Sequence, residues 1–185
     1  MKLSGKRILF LGSSVTRGTE YISFADFMAE NYGVDSFKEA VSGTHLADIT
    51  DQSYVSRLKR LDTAQHFDLC ICQHSTNDTH PDIPLSKTEA AIRFIIEYVR
   101  ANFGCPIAFY TGTYYDNEKY ATMIEMLYSL QTEYDFPILD LFHDEEMLAV
   151  TKEDYAKYMI DPVHPTVLGY KEWWTPRFVE FCEKL

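Results

Sequence analysis

The chain has 185 residues, 46% of them hydrophobic and 24% charged, the proportions of one globular domain large enough to bury a core. Its formal net charge is -11 and no block of Lys and Arg offsets it, which disfavours nucleic acid and anionic membrane surfaces as partners. A strongly anionic substrate would also be repelled unless a local basic patch intervened.

The elements follow in chain order. Residues 8–11 form a short apolar run within a strand candidate at 7–11, too short to span a membrane and without the cleavage site of a signal peptide. It reads as a buried strand of a cytoplasmic protein. Phe24, Phe27, Met28 and Tyr32 then recur at helical spacing, with Gly33 placed to end the helix. A second strand is expected at 36–41, and Tyr54, Val55, Leu58 and Leu61 mark another helix. Residues 67–73, FDLCICQ, form a third strand. Ala91, Phe94, Ile95, Tyr98 and Val99 mark a helix ending before Gly104. A fourth strand at 106–111 precedes a helix marked by Met123, Ile124, Leu127 and Leu130. A fifth strand is expected at 137–142, and the remainder is helical, with Trp173 and Trp174 in the last helix. Pro176 should kink or restart that helix.

Five strands alternating with helices imply a parallel sheet covered on both faces, a three-layer α/β/α sandwich. Ligands of such folds gather beyond the carboxyl ends of the strands. The four cysteines match no zinc or disulfide spacing. Cys70 and Cys72 alternate along a strand and should share a face; with Cys105 and Cys182 they read as small apolar residues.

The loops after the strands carry the polar signals. The first, G-S-S-V-T-R-G at 12–18, places two hydroxyls at a strand's carboxyl end. It lacks the Lys of a phosphate-binding loop, and the chain has no G-x-S-x-G elbow. The second, A-V-S-G-T-H at 40–45, contains Gly43, whose backbone N–H would be unobstructed, though a glycine there also suits a plain turn. The third, H-S-T-N-D-T-H-P-D at 74–82, contains Asn77. Its His74, Asp78, His80 and Asp82 could be read as metal ligands, but no regular element sets them on one face, and Asn and Asp are common in turns; no metal is expected. Near the end, D-P-V-H-P-T at 161–166 sets Asp161 three residues before His164, and Pro165 and Thr166 also suit a helix start. Together, Ser14, Gly43, Asn77 and the Asp161–His164 pair fall on one rim. They supply a nucleophile, two oxyanion donors and an oriented base, the set that acyl transfer needs.

These blocks resemble those of the SGNH hydrolases, the GDSL esterase/lipase superfamily. G-S-S-V is similar to the G-D-S-L block, S-G-T to the glycine block, S-T-N-D to G-x-N-D and D-P-V-H-P to D-x-x-H-P. They occur in the family's order across 12–165. Ser13 stands where the family usually has Asp, and Ser75 where it usually has Gly. The resemblance implies a flavodoxin-like sheet, Ser14 as nucleophile, His164 as acid-base and Asp161 as its orienting partner. It implies an oxyanion hole from the backbone N–H groups of Ser14 and Gly43 and the Asn77 side chain, with no cofactor. The substrate expected is a small ester, with a short acyl group on a neutral or sugar-like alcohol. No lid insertion is evident, and Tyr114 and Tyr115 lie near the rim as aromatic faces with polar tips. The alternatives are a lysophospholipase or thioesterase on the same machinery, or a carbohydrate-binding module without catalysis.

Overall fold

The computed structural model describes residues 1–185. Five parallel strands form one sheet: β1 (Arg7–Gly12), β2 (Asp35–Ala40), β3 (Leu69–Gln73), β4 (Ile107–Tyr110) and β5 (Ile138–Leu139). Their order is β2-β1-β3-β4-β5. The chain moves outward from β1 to β2, then returns past β1 to β3. Helices on either side of such a reversal diverge and leave a crevice above β1 and β3, where ligands bind in this topology.

Period-two alternation splits the apolar side chains between two layers. Ile8 and Phe10 of β1, Ile71 of β3 and Tyr110 of β4 join one core. Leu9, Leu11, Cys70, Cys72, Ile107 and Phe109 join the other. The two strand cysteines therefore share a face, and all four cysteines are buried and unpaired. The first layer is covered by α1 (Ser14–Arg17), α2 (Phe24–Tyr32) and α8 (Thr175–Lys184). The second is covered by α3 (Tyr54–Leu58), α4 (Leu85–Asn102) and α5 (Glu118–Tyr134). Two short helices, α6 (Glu145–Leu148) and α7 (Lys152–Tyr158), precede the Asp161–His164 turn. Each fully buried large side chain contributes about 1.5–3 kcal/mol, and rings concentrate that gain. Phe24 alone packs against Phe10, Tyr110, Trp174 and Phe178.

Local chemistry sets the boundaries. Ser23 accepts from the Ala25 N–H and Asp26 accepts from the Ser23 N–H, closing a capping box on α2. Gly33 ends it at φ 70°, a left-handed cap that glycine adopts without strain. Thr166 caps the helix after the His164 turn, accepting from the Gly169 N–H at 2.9 Å.

Several expected elements differ. β5 pairs over Ile138–Leu139 only, not 137–142. Its neighbour Asp140 accepts from the Phe142 and His143 N–H groups, and this local turn removes them from the ladder. β2 and β3 begin at Asp35 and Leu69, and α3 stops at Leu58, short of Leu61. Trp173 and Trp174 lie in a π-helical segment, Gly169–Trp174, rather than in the last α-helix. The wide turn buries Tyr170, Trp173 and Trp174 together. Pro176 sits in the first turn of α8, where its missing N–H leaves no helical bond unmade.

Candidate active site

Ser14 is the first residue of α1, directly after β1, so its N–H has no intrahelical acceptor. Gln73, the last residue of β3, holds this turn from across the sheet. Its Oε1 accepts from the Ser13 N–H at 2.9 Å, the Ser13 hydroxyl at 3.3 Å and the Thr16 hydroxyl at 2.9 Å. Ser13, where the family pattern has Asp, is thus a buried hydroxyl serving this bridge.

The Ser14 Oγ lies 2.8 Å from His164 Nε2. His164 Nδ1 lies 2.8 Å from Asp161 Oδ2 and 3.0 Å from Oδ1. An ionised carboxylate only accepts, so Nδ1 carries the proton and Nε2 turns its lone pair to Ser14. Asp161 Oδ1 also accepts from the Val163 and His164 N–H groups, each at 2.8 Å. Partial burial pushes the Asp161 carboxyl up, but these two N–H groups and the imidazole outweigh it and hold the group below the ordinary range. Asp161 therefore stays charged beside the imidazole.

The loop after β2 faces this chain of three. Gly43 has φ 76° and a Cβ there would meet nothing within 4 Å. The glycine is needed for its backbone conformation, not for space. Asn77 Nδ2 donates to Thr44 O at 2.8 Å, leaving its second N–H free of protein acceptors. Ser75, where the family pattern has Gly, accepts from the Asn77 N–H at 3.2 Å and so fixes the residue that follows.

Gln73 and Arg57, which sequence reading did not single out, and Asp78, which it read only as a possible metal ligand and as the last residue of the S-T-N-D block, hold these loops in place. Buried Asp78 accepts from the Leu46 and Ala47 N–H groups, each at 2.8 Å, and from the Thr88 hydroxyl at 3.0 Å. Arg57, also buried, donates to Gly12 O and Glu39 O at 2.7 Å and to Gln52 O at 3.0 Å. Gln73 is the third. All act across long sequence separations, so no local spacing marks them. The other residues of the 74–82 cluster separate: His74 is buried with both ring nitrogens unpartnered, whereas His80 Nδ1 accepts from the Asp82 N–H on the surface.

Tyr114 and Tyr115 line a cleft of about 410 Å³ with Met147, Leu148, Tyr155 and Trp173. Pro162 of the His164 turn also lines it. Tyr114 is half exposed and packs on Phe142, while Tyr115 packs on Tyr120. The far wall comes from α6 and α7, which the sequence reading left as undifferentiated helix.

The sequence pattern of the GDSL-like lipase/acylhydrolase family matches residues 10–172. The chain belongs to that family. Solved structures share its fold at low identity. A lipolytic protein of the G-D-S-L family from Desulfitobacterium hafniense superposes with a TM-score of 0.76 at 15% identity, over 96% of this chain and 99% of its own. The acetyl xylan esterase AlAXEase gives 0.73 at 14%, over 94% and 98%. A family two carbohydrate esterase from Clostridium thermocellum, solved with cellohexaose, gives 0.73 at 16%, over all of this chain and 66% of its own. No curated protein matches the sequence. No helix of this GDSL-family chain is long and apolar enough to cross a membrane.

Proposed function

We propose that this chain is a serine esterase that removes a short acyl group, such as acetyl, from a carbohydrate-like alcohol. The carrying observation is the continuous path from Ser14 Oγ through His164 to Asp161, with contacts of 2.8 Å at each end of the imidazole. Ser14 Oγ attacks the ester carbonyl as His164 Nε2 takes its proton. The tetrahedral oxyanion is held by the Ser14 and Gly43 N–H groups and the free Asn77 N–H. The C–O bond to the alcohol then breaks, and the proton on Nε2 passes to the departing oxygen. Water repeats the sequence on the acyl-enzyme: His164 takes its proton, the acid leaves, and the proton returns to Ser14. Asp161 stabilises the imidazolium at both stages.

Two features support the substrate class. The cleft beside the His164 turn carries Tyr114, Tyr115, Tyr155 and Trp173, and aromatic faces with polar tips suit sugar rings. Relatives of the same fold include an acetyl xylan esterase and a carbohydrate esterase solved with cellohexaose. A second reading rests on the same cleft: seven of its eleven lining residues are hydrophobic, and a longer acyl chain would also fit there, as in a lysophospholipase or thioesterase.

Hydrolysis of 4-nitrophenyl acetate and octanoate by the wild type and Ser14→Ala separates these readings. Acetate turnover that exceeds octanoate turnover and vanishes in the variant is the expected result. Faster octanoate turnover favours the lipid or thioester reading. Turnover that survives in Ser14→Ala removes the serine mechanism.

A further inference from the structure

One cation on the rim of the site stands without a counter-charge. Arg17 closes α1, and Val15 and Thr16 between it and Ser14 are buried whereas Ser14 and Arg17 are not. The two therefore share the open face of that turn. Arg17 Nη1 donates to Ser42 Oγ at 3.0 Å, beside Gly43. Its guanidinium carbon lies 3.9 Å from the centroid of the Tyr21 ring. No carboxylate pairs with it, and its remaining N–H donors have no protein acceptor.

The ring beneath it is held by strained backbone. Glu20 and Tyr21 take φ values of 53° and 67°, in the left-handed region that L side chains rarely occupy. Such strain persists only where surroundings over-determine it. Here Lys38 Nζ donates to Arg17 O at 3.2 Å and Tyr21 O at 2.9 Å, and pairs with Asp26 at 2.6 Å. Thr19 bridges to Ile22, and the Thr19 hydroxyl donates to Pro165 O at 2.7 Å, fastening the loop to the His164 turn. Tyr21 nevertheless stays 69% exposed, so the strain is not repaid by burying its ring. What the loop achieves is a guanidinium anchored over the Tyr21 ring, on the same face of the turn as Ser14, with N–H donors left without a protein acceptor. Those donors match a carboxylate in a two-point hydrogen bond.

We propose that Arg17 is a specificity-determining residue that binds a carboxylate carried by the ester substrate. The inference rests on the esterase reading of Ser14. In a chain of net charge -11, Arg17 supplies a local opposite charge on the Ser14 turn, and Lys152 in the lining of the cleft is a second cation. The carboxylate sits either on the alcohol, as in an acidic sugar, or on the acyl group, as in a dicarboxylic half-ester.

Two matched pairs of esters test both placements in wild type and Arg17→Gln. The first pair is 4-acetoxybenzoate and its methyl ester, with the charge on the alcohol. The second is mono-4-nitrophenyl succinate and 4-nitrophenyl butyrate, with the charge on the acyl group. For one pair, the anionic-to-neutral ratio of kcat/KM should fall roughly 10- to 100-fold in the variant, the effect of one charged hydrogen-bonded pair. Arg17→Lys, which keeps the charge and loses the fork, should give an intermediate ratio. Ratios unchanged by Arg17→Gln in both pairs overturn the proposal. If no ester of either pair, anionic or neutral, shows Ser14-dependent turnover, the esterase reading fails by itself. Calorimetric titration of 4-acetoxybenzoate and monoethyl succinate into Ser14→Ala and Ser14→Ala/Arg17→Gln then decides the Arg17 question. Roughly tenfold weaker binding to the double variant for either ligand supports it, and equal affinities overturn it.

Discussion

The Asn77 amide has two N–H groups, and the protein uses one of them, on Thr44 O at 2.8 Å. In the proposed mechanism the other is available to an oxyanion, which exists only once Ser14 has attacked. Asn77→Ala should therefore lower kcat by roughly 10²–10³, with a much smaller change in KM. A steady-state comparison on 4-nitrophenyl acetate checks this, and a change confined to KM would remove Asn77 from the oxyanion hole. Single residues also show why an Asp–His pair is not a site by itself. Asp140 and His143 repeat the spacing of Asp161 and His164, with His143 Nδ1 at 2.6 Å from Asp140 and the same backbone N–H bonds to the carboxylate. The hydroxyls around that pair, Thr111 and Tyr128, both donate to Asp140, and no serine faces the imidazole. The Asp140 turn ties β4, β5 and α5 together; only the Asp161 turn brings its imidazole to a serine hydroxyl.

Elements meet at the site through side chains that the one-dimensional pattern does not reveal. The strands at 7–11, 67–73 and 106–111 were legible because a parallel sheet covered on both faces makes each strand a short, nearly continuous apolar run. The helix cap at Gly33 was legible because its chemistry is local, and the Ser23 cap, equally local, was not read. β5 was overextended because Leu141 and Phe142 continue the apolar pattern in sequence past Asp140, whose carboxylate turns the backbone in space. The π-helical segment was missed because its spacing departs from the helical template that would have revealed it. The four blocks of the site could be read in order, yet the holding roles of Gln73, Asp78 and Arg57 could not. Asp78 makes the point testable. Its two oxygens take two backbone N–H groups of the β2 loop and the Thr88 hydroxyl of α4. Asn at this position keeps one acceptor and turns an NH₂ toward a donor. Asp78→Asn should destabilise the fold by about 2–3 kcal/mol and lower kcat roughly 10- to 100-fold by loosening the Gly43 loop. Urea denaturation and turnover measured on the same preparation check both effects. Full stability in the variant would mean that the loop is held by something else.

At the scale of the whole molecule, one buried group couples the fold to pH. His74 follows β3, packs its ring near Tyr120 at 5.7 Å and is fully buried. Burial lowers its pKa from the ordinary 6.5 to about 4, against a partial upward pull from Asp78 and Asp140. The unfolded chain therefore binds a proton at this residue below about pH 6.5, while the folded chain does not until about pH 4. Protonation favours unfolding across that window, so stability falls as pH falls. Converting the shift gives about 3 kcal/mol lost by pH 4. The carboxylates Asp68, Asp140 and Asp144 lie below their ordinary 3.8, so their stabilisation is lost mainly at lower pH. The window from 6.5 to 4 is thus where His74 should be visible by itself. His74→Phe keeps a ring against Tyr120 and removes the titration. Chemical denaturation at intervals between pH 7 and 4 should show a steep loss for the wild type and a curve for the variant flatter by about 3 kcal/mol. Parallel curves would mean that His74 takes up its proton in the folded state as readily as in the unfolded one. A neutral, water-excluded imidazole beneath the loop that carries Asn77 would then be ruled out.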